Sequence, residues 1–251
     1  MWLVLCMSKD VSALWAYHGL KARGLEPLEL VTDETLGPGV RWEHRLGADG
    51  IFVDITLTDG RRINSNSIRG VLNRFMWVPS EQLYKVTQGD REYATQELLA
   101  FFVSWLYAFL GPVLNRPRPP GLSGQLRHVS EWVWMASKAG LPTQAYRQSS
   151  RDYGAERGFE KRVVPISTPV STVIVIKGHI VGAPAPLEIR EGCRSLAELA
   201  RVELLGVEFA EGQAGPWTFV GATTFPDLRL GGQDLLDVLA SVLRGESEEY
   251  S

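Results

Sequence analysis

The tetrapeptide Val-Leu-Asn-Arg occurs twice, at Val71–Arg74 within RGVLNRFMWVP (residues 69–79) and at Val113–Arg116 within LGPVLNRPRPPGLSGQLRH (residues 110–128). Each copy ends a short apolar run of the kind that forms a strand buried on both faces. Between them, residues 90–110 carry Asp90, Glu92 and Glu97 in a polar first half and are apolar almost all round thereafter. That pattern predicts a helix buried on several sides. A strand, a helix and a second strand in this order make a right-handed crossover, which places the two strands parallel in one sheet. In open parallel sheets, ligands sit in the crevice beyond the carboxyl ends of the strands. Asn73 and Arg74, Asn115 and Arg116 all fall at such ends, and Ser8, Lys9 and Asp10 follow the first strand.

Upstream, MWLVLCM (1–7) reads as that first strand, and Val11, Leu14, Trp15, Tyr17, His18 and Leu20 follow at helical spacing. Gly24 stops the helix before a strand in PLELVTD (27–33). The runs RWEHRL, IFVDITL and RRI between residues 40 and 63 are broken by GADG and TDG, which predicts a small antiparallel hairpin inserted into the α/β unit. Downstream, residues 116–124 are a Pro/Gly-rich linker or ordered loop, residues 126–139 a helix, and LPTQAY (141–146) a strand. A polar loop or insertion (147–162) leads to strands in VVPIS (163–167) and STVIVIKGHIVG (171–182), the latter turning at Lys177-Gly178. A helix over 194–204, strands in GVEFAE and PWTFVGAT, and a helix over 232–245 complete the chain, with an acidic tail read as disordered.

Of the 251 residues, 45% are hydrophobic and 22% charged, and the formal net charge is −3. This is globular composition, and it argues against nucleic-acid binding by phosphate neutralisation. Two unpatterned cysteines, Cys6 in an apolar run and Cys193 in a polar turn beside Arg190 and Arg194, form no disulfide framework and suit a reducing cytoplasm. Cys6 reads as an inert thiol and Cys193 as an exposed one. The N-terminal apolar run meets Ser8, Lys9 and Asp10 after seven residues, and Leu98–Leu110 is also short, so neither is a signal segment or a membrane span. His18, His44, His128 and His179 lack metal-site spacing, and no Walker A, G-x-G-x-x-G or G-x-S-x-G motif occurs.

The order of elements, with DVSALWAYHGLKARGLEPLELV, VLNRPRP, EWVWMASKAGLPTQAY and LLGVEFAEGQAGPWTFVGATTFPD in step, resembles the ATP-grasp superfamily, in particular its carboxylate-amine ligases. The resemblance implies an α/β fold. A parallel pre-ATP-grasp-like sheet with an inserted hairpin would occupy residues 1–120, and a smaller α+β lobe, a shortened ATP-grasp-like domain, residues 121–251. It also implies ATP, Mg²⁺ and an acyl phosphate, with the metal held by an acidic residue on one strand and a Glu-x-Asn pair on the next. Glu208 keeps the first carboxylate, whereas Gly221 and Thr223 stand at the second pair. Between LPTQAY and STVIVIKG the superfamily places a whole subdomain, and here about two dozen residues remain, with Arg147, Arg151, Arg157, Lys161 and Arg162 among them.

These departures point to a catalytically degenerate ATP-grasp-like protein with no cofactor, binding a small anionic ligand or a protein partner. Its expected ligand-binding residues are Asn73, Arg74, Asn115, Arg116, Arg118 and Lys9, since guanidinium forks bind carboxylate or phosphate bidentately. The alternative is an ATP-dependent ligase with an abbreviated clamp, using ATP and Mg²⁺, with Glu208 and Asp227 as residual metal ligands. The surface left by a missing subdomain calls for a cover, which a second copy in a homodimer would supply, and the Trp-bearing helices (Trp105 and Tyr107, Trp132 and Trp134) read as core or as an interface.

Overall fold

The computed structural model describes residues 1–36, 41–47, 50–79, 83, 87–119, 121–144, 146, 170–212 and 215–246. The expected strand at 163–167, the basic segment 147–162 and the tail beyond Glu246 lie outside the described residues.

Strand β1 (Trp2–Cys6) is wholly buried, and it is followed by α1 (Val11–Ala22) and β2 (Leu28–Thr32). The Asp10 side chain caps α1 by accepting the Ala13 N–H at 2.9 Å, so one residue both ends the first strand's loop and begins the helix. A short α2 (Asp33–Leu36) precedes β3 (Arg41–Gly47), β4 (Gly50–Thr56) and β5 (Arg62–Asn64), a small antiparallel insert in which the hairpin gains a short third strand at the run RRI. The two repeats then become β6 (Gly70–Arg74) and β7 (Val113–Leu114), joined by α3 (Gln88–Ala108). They lie side by side and parallel, with Val71 opposite Val113 and Leu72 opposite Leu114. The parallel sheet has the order β2-β1-β6-β7.

One face of this sheet packs through Leu3, Leu5, Val71 and Val113 against Val53, Ile55 and Ile63 of the insert and Phe102, Trp105 and Leu106 of α3. Only that stripe of α3 is buried; Tyr93 and Tyr107 are exposed, as is Leu110 just beyond the helix, so the helix is not enclosed on several sides as its composition suggested.

Helix α4 (Val129–Lys138) begins the second half, and β8 (Val170–Ile176), β9 (His179–Gly182), α5 (Leu187–Ala200), β10 (Leu204–Gly212), β11 (Gly215–Thr223) and α6 (Gly232–Arg244) follow. The antiparallel sheet runs β11-β10-β8-β9. Its turn at Lys177-Gly178 has positive φ at both residues, the geometry that a two-residue hairpin needs. LPTQAY makes no regular strand; it contributes a Thr143–Phe219 bridge and the Pro142 carbonyl that accepts the Phe219 N–H at 2.7 Å.

Helix α5 starts seven residues earlier than the polar stretch REGCRS suggested. Gly192, a breaker in isolation, is needed within it because an added Cβ would lie 2.5 Å from a methyl carbon of Leu141. Cys193 is accordingly on the buried face, not in an exposed turn, and burial pushes its thiol up to about 12. The core of α4, α5 and the outer face of this sheet holds Trp132, whereas Trp105 lies in the core beneath α3, so the two aromatic helices do not form a pair. Helix α6 returns to the first sheet: Leu235, Leu236, Leu239 and Leu243 share a core with Val4, Leu72, α1, Ile174 and Leu204. No helix among the described residues is long and apolar enough to cross a membrane.

Candidate functional site

The carboxyl ends of β1, β6 and β7 do converge, and the chain itself occupies the crevice between them. Arg74 is 2% exposed, and its Nε and Nη2 donate to the two Asp10 carboxylate oxygens at 2.9 and 3.3 Å. Its Nη1 donates to the Pro226 carbonyl at 2.7 Å, and its guanidinium carbon lies 3.7 Å from the centroid of the Phe225 ring. The loop after β11 thus sits where a ligand of the parallel sheet would sit. Asp10 is drawn in by two roles at once, as cap of α1 and as counter-charge of Arg74.

Asn115 directs its whole amide to the start of β10 and the residue after β11. Its Nδ2 donates to the carbonyls of Leu204 and Thr224 at 2.7 and 3.2 Å, and its Oδ1 accepts the N–H groups of Glu203 and Leu204 at 3.0 and 2.8 Å. An amide has two donors and two acceptor lone pairs, so nothing is left over. Asn73 works in the same manner, donating to the carbonyls of Asn115 at 2.9 Å and Leu122 at 2.7 Å and accepting the Phe75 N–H at 3.2 Å. Both asparagines are buried.

Arg116 points the other way. Its Nη1 donates to the carbonyls of Leu106, Tyr107 and Phe109, and its Nη2 to that of Gly111 at 2.6 Å, which satisfies carbonyls that the end of α3 leaves without helical partners. Lys9 is exposed in the turn before α1. Of the six expected ligand-binding residues, the structure therefore brings the two asparagines together, turns the two VLNR arginines apart, and leaves Lys9 at the surface.

Arg118 has different surroundings. It lies in a tight, packed loop rather than a linker: Arg118 and Gly121 exchange both backbone hydrogen bonds, Leu122 N–H donates to Met76, and the Ser123 hydroxyl donates to Asn73. Arg118 lines an open cleft of about 420 Å³ with Val103, Tyr107, Pro117, Pro119 and Gln125. A second cleft, about 540 Å³, lies between β9, its following loop, Arg190, Trp217 and Asp234.

On the second sheet, Glu208 of β10 pairs directly across from Gly221 of β11. A Cβ at Gly221 would lie 3.4 Å from a Glu208 carboxylate oxygen, so the side chain of any residue there would face Glu208. The register slips at Val220 immediately beyond, a bulge of the kind that re-aims side chains. Thr223 accepts the Phe225 N–H on its hydroxyl at 3.0 Å. Asp227 caps the 3-10 turn Leu228–Gly231 and is gripped by the Arg229 guanidinium at 2.6 to 3.1 Å, which holds its carboxyl below the usual range. No group of three His, Cys, Asp or Glu able to hold a metal occurs among the described residues.

Searched against known proteins, the chain matches no family model and no curated protein. Solved structures do match over its full length. The macrocyclase MdnC of Microcystis aeruginosa MRC, bound with precursor peptide MdnA, superposes with a TM-score of 0.70 at 11% identity, covering 97% of this chain and 99% of that one. A Chryseobacterium gregarium RiPP-associated ATP-grasp ligase, in complex with ADP and a leader and core peptide, gives 0.71 at 9%, covering 99% and 97%. The ATP-grasp ligase PsnB, complexed with a phosphomimetic variant of its minimal precursor, Mg and ADP, gives 0.64 at 17%, covering 98% and 97%.

The chain has the ATP-grasp fold.

That fold implies Mg²⁺ with ATP, and the described residues around Glu208 do not fit the metal. Mg²⁺ requires several hard oxygen ligands in near-octahedral array. The strand beside Glu208 offers a glycine and a threonine already engaged, and Asp227 is neutralised by Arg229. Phe225 and Pro226 carried no sequence signal as partners of Arg74, because Pro226 lies 152 residues away along the chain. The expectation of a residual Glu208–Asp227 acid pair finds each carboxylate in its own local setting.

Proposed function

We propose that this protein is an ATP-grasp-fold binding protein that recognises a peptide or protein partner without joining bonds at the expense of ATP. The observation that carries this reading is Glu208 facing Gly221: the position opposite the surviving carboxylate has no side chain to complete a metal site. The peptide-bound states of MdnC and of the Chryseobacterium ligase support a partner of peptide type for this fold. The strand-end residues Asn73, Arg74, Asn115 and Arg116 then serve as the frame that fixes the two lobes, and Arg118 is the member of the set that lines a cleft and is free to meet a ligand.

Thermal melting with and without Mg²⁺ and ATP tests this. A ligand selective for the native state stabilises by about 2.7 kcal/mol at a hundred times its Kd. The reading predicts no shift at millimolar Mg·ATP; a shift that EDTA removes would instead support the ligase with an abbreviated clamp, in which Glu208 and Asp227 hold the metal.

A further inference from the structure

We infer that the cleft between the end of α3 and the loop after β7 binds a short acidic–apolar segment of a partner polypeptide, with Arg118 meeting its carboxylate. The inference deepens the partner-binding reading above and rests on it. Its first ground is charge. The Arg118 side chain is half-buried in the cleft wall and makes no hydrogen bond, ion pair or ring contact with any described residue. Among the described residues, no acidic one lines the cleft beside it. A guanidinium withdrawn from water without a counter-charge favours a carboxylate more than an exposed one does.

The second ground is the rest of the wall. Val103, Tyr107, Pro117 and Pro119 present apolar surface, and Gln125 adds one amide. Tyr107 is 66% exposed, and Leu110, two residues past the end of α3, is 99% exposed. Aromatic and proline surfaces suit an extended peptide with an aromatic or aliphatic side chain beside its acidic one.

The third ground is rigidity. Arg116 ties the carbonyls of Leu106, Tyr107, Phe109 and Gly111 to the residue immediately before Pro117, so the helix end and the proline loop are one fixed unit. The loop's own bonds, Arg118 to Gly121 in both directions, hold the other wall. A preorganised cleft loses little freedom on binding.

The test is an array of end-capped seven-residue peptides with a central Glu, Gln or Lys flanked by Leu, Phe or Gly, probed with the full chain in nucleotide-free buffer. Glu-centred peptides with Leu or Phe neighbours should be retained. Arg118→Gln should lower that retention about tenfold, and Tyr107→Ser should lower it for the Phe-flanked peptides most. Both variants should melt with the parent, since neither side chain bonds to the fold. Equal retention of Gln-centred peptides, or retention unchanged in Arg118→Gln, would overturn the site while leaving the partner reading and its Mg·ATP test standing. Retention that appears only after residues 247–251 are removed would assign the cleft to the chain's own acidic tail and also overturn it, as would no retention of any peptide.

Discussion

Arg74 and Arg116 end identical tetrapeptides on neighbouring parallel strands, yet one is locked between Asp10 and the loop after β11 and the other caps a helix. Two residues beyond the second, the Arg118 side chain makes no bond to a described residue. The difference teaches that a basic residue at a strand end becomes a site only when the rest of the chain leaves it unopposed. Asp10, Phe225 and Pro226 close around Arg74; the carbonyls at the end of α3 consume Arg116; the proline loop keeps Arg118 facing outward.

Breaking the closed side should cost most. Arg74→Ala leaves the Asp10 carboxylate, whose side chain is 7% exposed, without its partner and should destabilise by about 4 kcal/mol in urea unfolding. Asn115→Ala strands four backbone groups between the lobes and should cost about 3 kcal/mol by the same measurement. If either variant unfolds at the parent's midpoint, the crevice is not closed by these bonds.

Cys6, at the end of β1, reports on the same closure. Burial first, then the Asp10 charge, raise its thiol to about 12 from an unfolded value of 9.0, with Arg74 opposing; Cys193 is raised to about 12 by burial alone. Between those values the unfolded chain gives up protons that the native chain keeps. Stability should therefore be full below pH 9 and fall as pH rises toward 12, by about 1.4 kcal/mol per unit for each thiol. A Cys6→Ala/Cys193→Ala chain should lose that slope, and iodoacetamide at pH 8 should label neither thiol in the native parent.

On the second sheet, Gly221→Glu sets a carboxylate opposite Glu208 and should destabilise by about 1 kcal/mol at pH 7 in urea unfolding. Smallest of all, Arg118→Ala should change stability by less than about 0.5 kcal/mol, because it removes no bond. A larger loss would place Arg118 with Arg74 and Arg116 rather than apart from them.

Periodicity and the repeated strand made most of this architecture legible. The β1-α1-β2 opening, the parallel pairing of the two VLNR strands across α3, the β8–β9 turn and the last helix all follow from local pattern. Helix α5 was misjudged because Gly192 and Cys193 look like turn residues until Leu141 is packed against them. The exposure of α3 was also hidden, since composition reports how apolar a helix is and not how many neighbours it finds. At the site, residue type and strand-end position singled out Asn73, Arg74, Asn115 and Arg116, but which carbonyls and rings lie opposite depends on contacts far apart in sequence. Glu208 facing Gly221 was anticipated only through the resemblance, and the strand register supplied the geometry.

The central claim, that this ATP-grasp fold no longer grips a metal–nucleotide pair, is tested most directly by electron paramagnetic resonance of Mn²⁺ and ATP titrated with the protein. The account predicts the spectrum of free Mn·ATP throughout. A protein-bound manganese signal that disappears in Glu208→Gln would contradict it.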